Sequence, residues 1–161
     1  MSSDRLSRRL VCLSLLGLAG CGFVPVYEES AAIRGQFAFE TDETVMGFHL
    51  GSRLAERLGA PASPRYTLKA TLNTRERAAA ITAEGDTSRL NVIGEASWSL
   101  VETASGAQVA TGRAEAFTSY AATSSTVATQ ATRDDARKRL AMILGDMIVT
   151  QILGRAAELA P

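Results

Sequence analysis

The sequence predicts an α+β fold: a two-layer sandwich of a four-stranded, mostly antiparallel sheet with two helices on one face. Two patterns and their order support this prediction. Apolar and polar residues alternate in four segments, which is typical of half-buried strands. Two further segments repeat apolar residues at helical spacing. The order along the chain is strand, helix, three strands, helix, and this order favours two packed layers.

The first 20 residues have the parts of a signal peptide. Three arginines precede an apolar run from Leu10 to Ala19, which is shorter than the roughly 20 residues of a membrane-spanning helix. The run ends in Leu18-Ala19-Gly20-Cys21, which resembles a bacterial lipobox. That resemblance implies a diacylglycerol and an N-acyl chain on Cys21 after the leader is cut, and an ordinary secretory cut is the alternative. Gly22 stands where, in the enterobacterial sorting rule, an aspartate would retain a lipoprotein at the inner membrane, so the expected location is the periplasmic face of the outer membrane.

Residues 21–30 are predicted to form a lipidated, extended tether, because Pro25 lacks an N–H and resists helix. Residues 31–161 are predicted to form a single domain, which is long enough for one core. Cys12 leaves with the leader and Cys21 carries lipid, so no thiol is left for a disulfide or a metal. Loss of the leader, with its three arginines and one aspartate, changes the net charge from zero to about −2, which argues against a nucleic-acid partner.

The segment from residue 33 to 59 predicts a strand and a helix. Alternation predicts the strand Ile33–Glu40. Residues 41–44 offer N-cap oxygens for a helix that ends at Gly59. Gly47 and Gly51 reduce helix stability, so close packing against a sheet is the expected reason for both. One stripe of the helix is apolar and consists of Met46, Leu50, Leu54 and Leu58.

Three strands are predicted between residues 66 and 120. The first alternates over Tyr66–Asn73 and is expected to resume at Ala79–Thr82, before turn residues at 84–86. A hairpin at Ser105-Gly106 leads into an alanine-rich strand, Gln108–Tyr120, that suits packing beside a helix. The second strand has the clearest pattern, because its inner face comprises Leu90, Val92, Gly94, Ala96, Trp98 and Leu100.

One long amphipathic helix is predicted from Val127 to Glu158. Asp134–Lys138 and Asp135–Arg139 have the i, i+4 spacing of ion pairs. Polar residues interrupt its apolar face, so it is not a membrane span. The periodic faces need one another for burial, and the expected common core is Leu50, Leu54, Trp98, Leu100, Leu144 and Ile148.

No residues have the spacing of a catalytic, cofactor-binding or metal site, so we expect a protein that is not an enzyme. His49 is the only histidine and is expected in the core or at its rim, because no cysteine or second histidine stands near to share a metal. No serine stands in a Gly-x-Ser-x-Gly elbow, and no phosphate-binding glycine loop is present. Arg75, Arg77 and Arg89 lie around one end of the long hairpin and could contact a phosphorylated ligand. A solvated loop is the competing interpretation.

Six short motifs occur in an order known from one protein family. They are Cys21-Gly22-Phe23-Val24-Pro25-Val26-Tyr27, Tyr66-Thr67-Leu68, Trp98-Ser99-Leu100, the turn Ser105-Gly106, Ser119-Tyr120 and Asp135-Ala136-Arg137. With this order the mature chain resembles the LptE-type lipopolysaccharide-assembly lipoproteins, especially those of alphaproteobacteria, although Glu28 replaces an expected glycine.

This resemblance implies the same two-helix, four-strand sandwich. It also implies a role as a plug inside the outer-membrane LPS-assembly β-barrel (LptD-type), which supports lipopolysaccharide transport to the outer leaflet. Its expected partners are that barrel, lipopolysaccharide and the membrane that holds the lipid anchor. Arg75, Arg77 and Arg89 are the candidates for contact with lipopolysaccharide. A lipoprotein auxiliary subunit of an ABC-type lipid transporter is the alternative.

Overall fold

The computed structural model describes residues 33–81, 87–123 and 125–159. The predicted leader (1–20), the tether (21–30) with Cys21, and the turn at 84–86 lie outside these residues. The helices and strands are β1 Phe37–Thr41, α1 Val45–Leu58, β2 Tyr66–Ile81, β3 Thr87–Glu102, β4 Gln108–Ala121, α2 Thr126–Leu153 and α3 Ala156–Leu159.

The four strands form one open sheet in the order β1-β2-β3-β4. β1 is parallel to β2, with Phe37 opposite Tyr66, and the other two pairings are antiparallel. Both long helices lie on one face of this sheet, where the buried strand residues are found. The predicted fold class is therefore confirmed, including the mostly antiparallel sheet.

The core lies between the helices and the inner face of the sheet. All six residues of the predicted common core are buried, and none is more than 2% exposed. α2 approaches the backbone of β3 closely at Gly94, where an added Cβ would lie 2.9 Å from Leu140 Cδ2 and 3.2 Å from Leu144 Cδ1. The inner face of β3 therefore uses glycine where the helix lies closest.

The two long helices run in the same direction and are joined by a partly buried ion pair. Arg53 of α1 donates to Asp146 of α2 through Nε (3.0 Å) and Nη2 (2.9 Å). The hydrogen bond to Asp146, followed by one to Glu56, raises the pKa of Arg53, so its charge is fixed. The helices meet closely at Gly145, where a Cβ would lie 3.1 Å from Arg53 Cγ.

The start of the first strand differs from the prediction. Residues 33–35 form a turn, and β1 covers only Phe37–Thr41. Gly35 has φ 75°, a conformation that favours glycine, and its N–H donates to Leu58 O at 2.9 Å. Ile33 is nevertheless fully buried, so alternation found the buried residues while missing the turn.

α1 begins and ends as predicted, but the reason expected for Gly47 is wrong. Thr44 is the N-cap and accepts a hydrogen bond from Gly47 N at 3.0 Å, and Gly59 ends the helix with φ 88°. A Cβ on Gly47 would overlap the backbone carbonyl of Asp42, which precedes the helix. The close contact is therefore with the loop that enters α1 and not with the sheet.

Two further boundaries differ from the prediction. β2 is continuous through the predicted gap, with an irregularity between Ala78 and Ala80. The last helix does not run unbroken to Glu158, because α2 ends before a turn at residues 154–155. Asp135 pairs with Arg139 at 2.9 Å as expected. Asp134, however, accepts hydrogen bonds from Gln130.

Among the helices described, none is long and apolar enough to cross a membrane.

Candidate binding surface

The face of the sheet opposite the helices is uncovered, and we call it the open sheet face. Its side chains alternate with those of the core along β2, β3 and β4. Most of them carry hydroxyl, amide or charged groups. They are Thr67, Lys69, Thr71, Asn73, Arg75 and Arg77 on β2, Asn91, Ile93, Glu95, Ser97 and Ser99 on β3, and Thr111, Arg113, Glu115, Phe117 and Ser119 on β4.

Cross-strand contacts pair many of these polar groups. Arg113 contacts Glu95 at 3.0 Å on the neighbouring strand, and the side chain of Ser119 donates to Asn91 Oδ1 at 2.6 Å. Lys69 pairs with Glu40 of β1 at 2.9 Å. Because such exposed ion pairs each contribute only about 0–1 kcal/mol, they can exchange for contacts with a partner at little cost. The open sheet face is therefore suited to a polar partner surface.

The structure brings the three candidate arginines to one end of this face. Arg75 lies opposite Ile93 and Arg77 opposite Asn91, while Arg89 precedes Asn91 by two residues on the same face. Arg75 contacts Glu115 at 3.4 Å. For Arg77 and Arg89, no ion pair is found within the part of the chain that the structure describes. Among the described residues, this end of the face therefore has an excess of positive charge.

A shallow depression of about 390 Å³ lies beside these arginines. Arg75 and Glu115 form its charged side, and Ile93 and Phe117 form its apolar side. Phe117 is 64% exposed, which is unusual for a phenylalanine on a polar face. The depression could hold an apolar group next to a charged one, but it is too open to enclose a substrate.

A charged cluster that the sequence analysis missed lies on the other side of the sheet. Glu76 accepts hydrogen bonds from Tyr120 OH at 2.8 Å and from Arg137 Nη2 at 2.9 Å, and Arg133 Nε is 3.5 Å away. The hydrogen bond from Arg133 to Tyr120 OH, followed by the charge of Glu76, raises the pKa of Arg133. The signal was present in the sequence, because alternation from Leu72 puts the carboxylate of Glu76 on the inner face, where it requires a cation.

The cleft next to this cluster contains His49. Its volume is about 730 Å³, and it lies between the start of α1, the middle of β2 and α2, with Leu72, Asp134 and Arg137 among its lining residues. His49 is partly buried at its rim, beside the ring of Phe48 at 5.8 Å. Among the residues described, no three His, Cys, Asp or Glu side chains are placed to hold a metal ion. The structure therefore places His49 at the edge of the core.

No protein-family model matches this sequence, and no curated protein is significantly similar to it. Solved structures do share its fold. A candidate lipoprotein from Caulobacter crescentus CB15 aligns with a TM-score of 0.66 and 20% identity, over 83% of this chain and 98% of that protein. Rare lipoprotein B from Shewanella oneidensis aligns with a TM-score of 0.60 and 11% identity, over 77% of this chain and 98% of that protein.

A minor lipoprotein from Acinetobacter baumannii has a TM-score of 0.54 and 14% identity, and the alignment covers 78% of this chain and 95% of that protein. These identities are low, so the similarity demonstrates a common fold. The high coverage of the solved proteins indicates that this chain contains nearly all of their structure. The fold described above is thus one that several bacterial lipoproteins share.

Proposed function

We propose that this protein is an outer-membrane lipoprotein, anchored through Cys21, that fills the lumen of an LPS-assembly β-barrel and assists its assembly. It acts without catalysis and supports the passage of lipopolysaccharide to the outer leaflet. The lipobox, the LptE-like motifs and the fold shared with bacterial lipoproteins support the proposal.

The single observation that carries it is the chemistry of the open sheet face. A wide membrane barrel has a polar, water-filled interior. A soluble domain can fill that interior if it presents hydrogen-bonding groups over a broad surface. The open sheet face does so across three strands, and most of its charged groups are paired within the protein, as with Arg113 and Glu95.

The direction of the sheet fits this arrangement. Ile33, the first described residue, lies at the end where β2 begins, since Tyr66 N donates to Gln36 O at 3.0 Å. Arg77 is eleven residues further along β2, which corresponds to about 36 Å of extended strand. The first described residue therefore lies at one end of the sheet, and the arginines are displayed at the other, where they could meet phosphorylated head groups of lipopolysaccharide.

Site-specific photocrosslinking in cells tests this function. A photoreactive amino acid replaces Thr71 or Thr111, both exposed on the open sheet face, in the full-length protein. Matched control positions are Ser52 on α1 and Ala131 on α2, which are exposed on the helical side. We expect the sheet positions to crosslink to the LPS-assembly barrel at higher yield than the helical positions.

Depletion of the protein gives the physiological readout. We expect less correctly assembled barrel and greater entry of large hydrophobic drugs. No crosslink to a barrel from either side would contradict the plug arrangement. Equal crosslinking from both sides would contradict the assignment of the open sheet face as the main contact with the barrel. Crosslinks to a lipid-transporter permease, with the barrel and surface lipopolysaccharide unchanged on depletion, would support the transporter-subunit alternative.

A further inference from the structure

β4 forms a long edge of the sheet. It has 14 residues, and among the strands that the structure describes it pairs with β3 alone. An edge strand of this length carries unpaired N–H and C=O groups that can template pairing with another chain. The opposite edge, β1, has only five residues. It is a weaker template, because a short strand offers few unpaired backbone groups.

The register shows which carbonyl groups of β4 point outward. Ala122 N donates to Ser88 O at 3.1 Å, so the ladder bonds to β3 belong to even-numbered residues near this end. The register continues without a shift from Arg89–Ala121 to Leu100–Ala110. Since antiparallel ladders alternate, the carbonyls of odd-numbered residues face the open edge. These residues are Thr111, Arg113, Glu115, Phe117, Ser119 and Ala121.

Side chains of α2 and of the turn that follows it cap four of these six carbonyls. Three donors lie on the helix and the fourth, Arg155, lies in the turn, so the caps are distributed over both ends of the strand. The hydrogen bonds are Arg155 Nη1 to Thr111 O (3.4 Å), Gln151 Nε2 to Arg113 O (3.0 Å) and Arg139 Nη2 to Ser119 O (3.3 Å). The Thr132 hydroxyl lies 3.1 Å from Ala121 O, and its single proton is shared among that carbonyl, Ala128 O and Thr129 O.

The two carbonyls left over are in the middle of the strand. Within the described chain, none of the side-chain hydrogen bonds reaches the carbonyl of Glu115 or Phe117. Between Arg139 and Gln151, the same side of α2 carries Ile143 and Met147, which have no donor. Two free carbonyls are too few to hold a partner strand, since ordinary strands pair over about five or six residues.

We infer that α2 guards the β4 edge against strand addition. The capping donors occupy the acceptors that an incoming strand would need, and their long side chains obstruct its approach. This inference rests on the capping contacts and is independent of the proposed function.

A double variant tests whether the capping side chains prevent strand addition at the β4 edge. Thr132→Val with Arg139→Ala removes the two caps at one end and leaves four consecutive outward carbonyls free, from Glu115 to Ala121. The control variant, Thr126→Val with Lys138→Ala, makes the same chemical changes at exposed residues of α2 that cap no carbonyl of β4. Both proteins are studied as the full lipidated chain by analytical ultracentrifugation in density-matched detergent.

We expect the double variant to self-associate roughly tenfold or more tightly than the wild type and the control, because it can form new inter-strand hydrogen bonds. Circular dichroism of each protein establishes that the fold is retained. Addition of Ser119→Pro should restore the wild-type behaviour. The N–H of Ser119 points away from β3, so proline removes no ladder bond and blocks the edge.

Two outcomes would overturn the inference. One is a folded double variant that associates no more tightly than the control. The other is an association that persists after Ser119→Pro, because it would then use a different surface. If the double variant does not fold, Arg139→Ala alone is measured against Lys138→Ala, with the same expected order of association.

Discussion

Truncation of Leu144 to alanine tests the core most directly. Leu144 is fully buried and packs against the β3 backbone at Gly94. The change removes three carbon atoms, and at about 0.8 kcal/mol each the lost transfer free energy is about 2.4 kcal/mol. The backbone at Gly94 has no side chain that could move into the space, so a cavity cost is added. We therefore expect a loss of about 3–4 kcal/mol in the free energy of unfolding, within the range of about 2–5 for such changes.

Urea unfolding followed by circular dichroism measures this loss. The dependence on urea should be the same as in the wild type, so that the midpoint alone shifts. Ile143→Ala is the matched control, because Ile143 is the preceding residue of the same helix and is 40% exposed. It should cost less than about 1.5 kcal/mol, since much of its side chain is already in water. A loss below about 0.5 kcal/mol for Leu144→Ala, or one equal to the control, would refute the described packing.

Three further predictions concern separate parts of the chain. Gly112→Ala should shift the fluorescence of Trp98, the only tryptophan, to longer wavelength and destabilise the fold by about 1–3 kcal/mol, because a Cβ would lie 2.6 Å from the indole ring. Mass spectrometry of the mature N-terminus should find lipidated Cys21. Combined Arg77→Ala and Arg89→Ala should weaken lipopolysaccharide binding by about three- to tenfold, as expected for two exposed charge contacts.

Each of these predictions has its own control. Gly154→Ala should be neutral or slightly stabilising, because Gly154 has helical φ −63° and the nearest atom to an added Cβ is 3.4 Å away. If it costs as much as Gly112→Ala, the close contact with the indole is not the cause. An unmodified Cys21, or a cut elsewhere, would contradict the anchor. Arg113→Ala should leave lipopolysaccharide binding unchanged, and an equal effect there would show that the arginine end has no special role.

Much of the fold follows from local patterns in the sequence. Alternation around Trp98 identified a strand whose inner residues are all at least largely buried. The cap candidates at residues 41–44 and the stop at Gly59 located both ends of α1, and the structure selects Thr44 as the cap. These signals are local: they depend on residues a few positions apart, so a single sequence contains them. The same alternation also predicts the polar nature of the open sheet face, because the residues between the apolar positions of each strand point to that face.

The features that the sequence did not reveal depend on contacts between distant residues. The turn at Gly35 is set by Leu58, which is 23 positions away. The cluster at Glu76 joins β2 to residues of β4 and α2, and Arg53 finds Asp146 on another helix. The periodicity of a sequence does not show which polar residue of one element contacts which polar residue of another. The candidate arginines could be grouped from sequence only because β2 and β3 form a hairpin, in which register follows from the chain itself.

The polar residues of α2 show why a helix cannot be interpreted from its apolar stripe alone. Arg139 and Gln151 interrupt that stripe and look like solvent-facing residues of an amphipathic helix. In the structure both donate to the edge of β4, so their polar groups bind the sheet, although Arg139 remains exposed. Gln151 also accepts a hydrogen bond from Trp98 Nε1 at 2.9 Å, which ties the edge to the core. A helix at the border of an open sheet therefore contacts the core, the solvent and the edge strand. Its sequence pattern reflects all three environments.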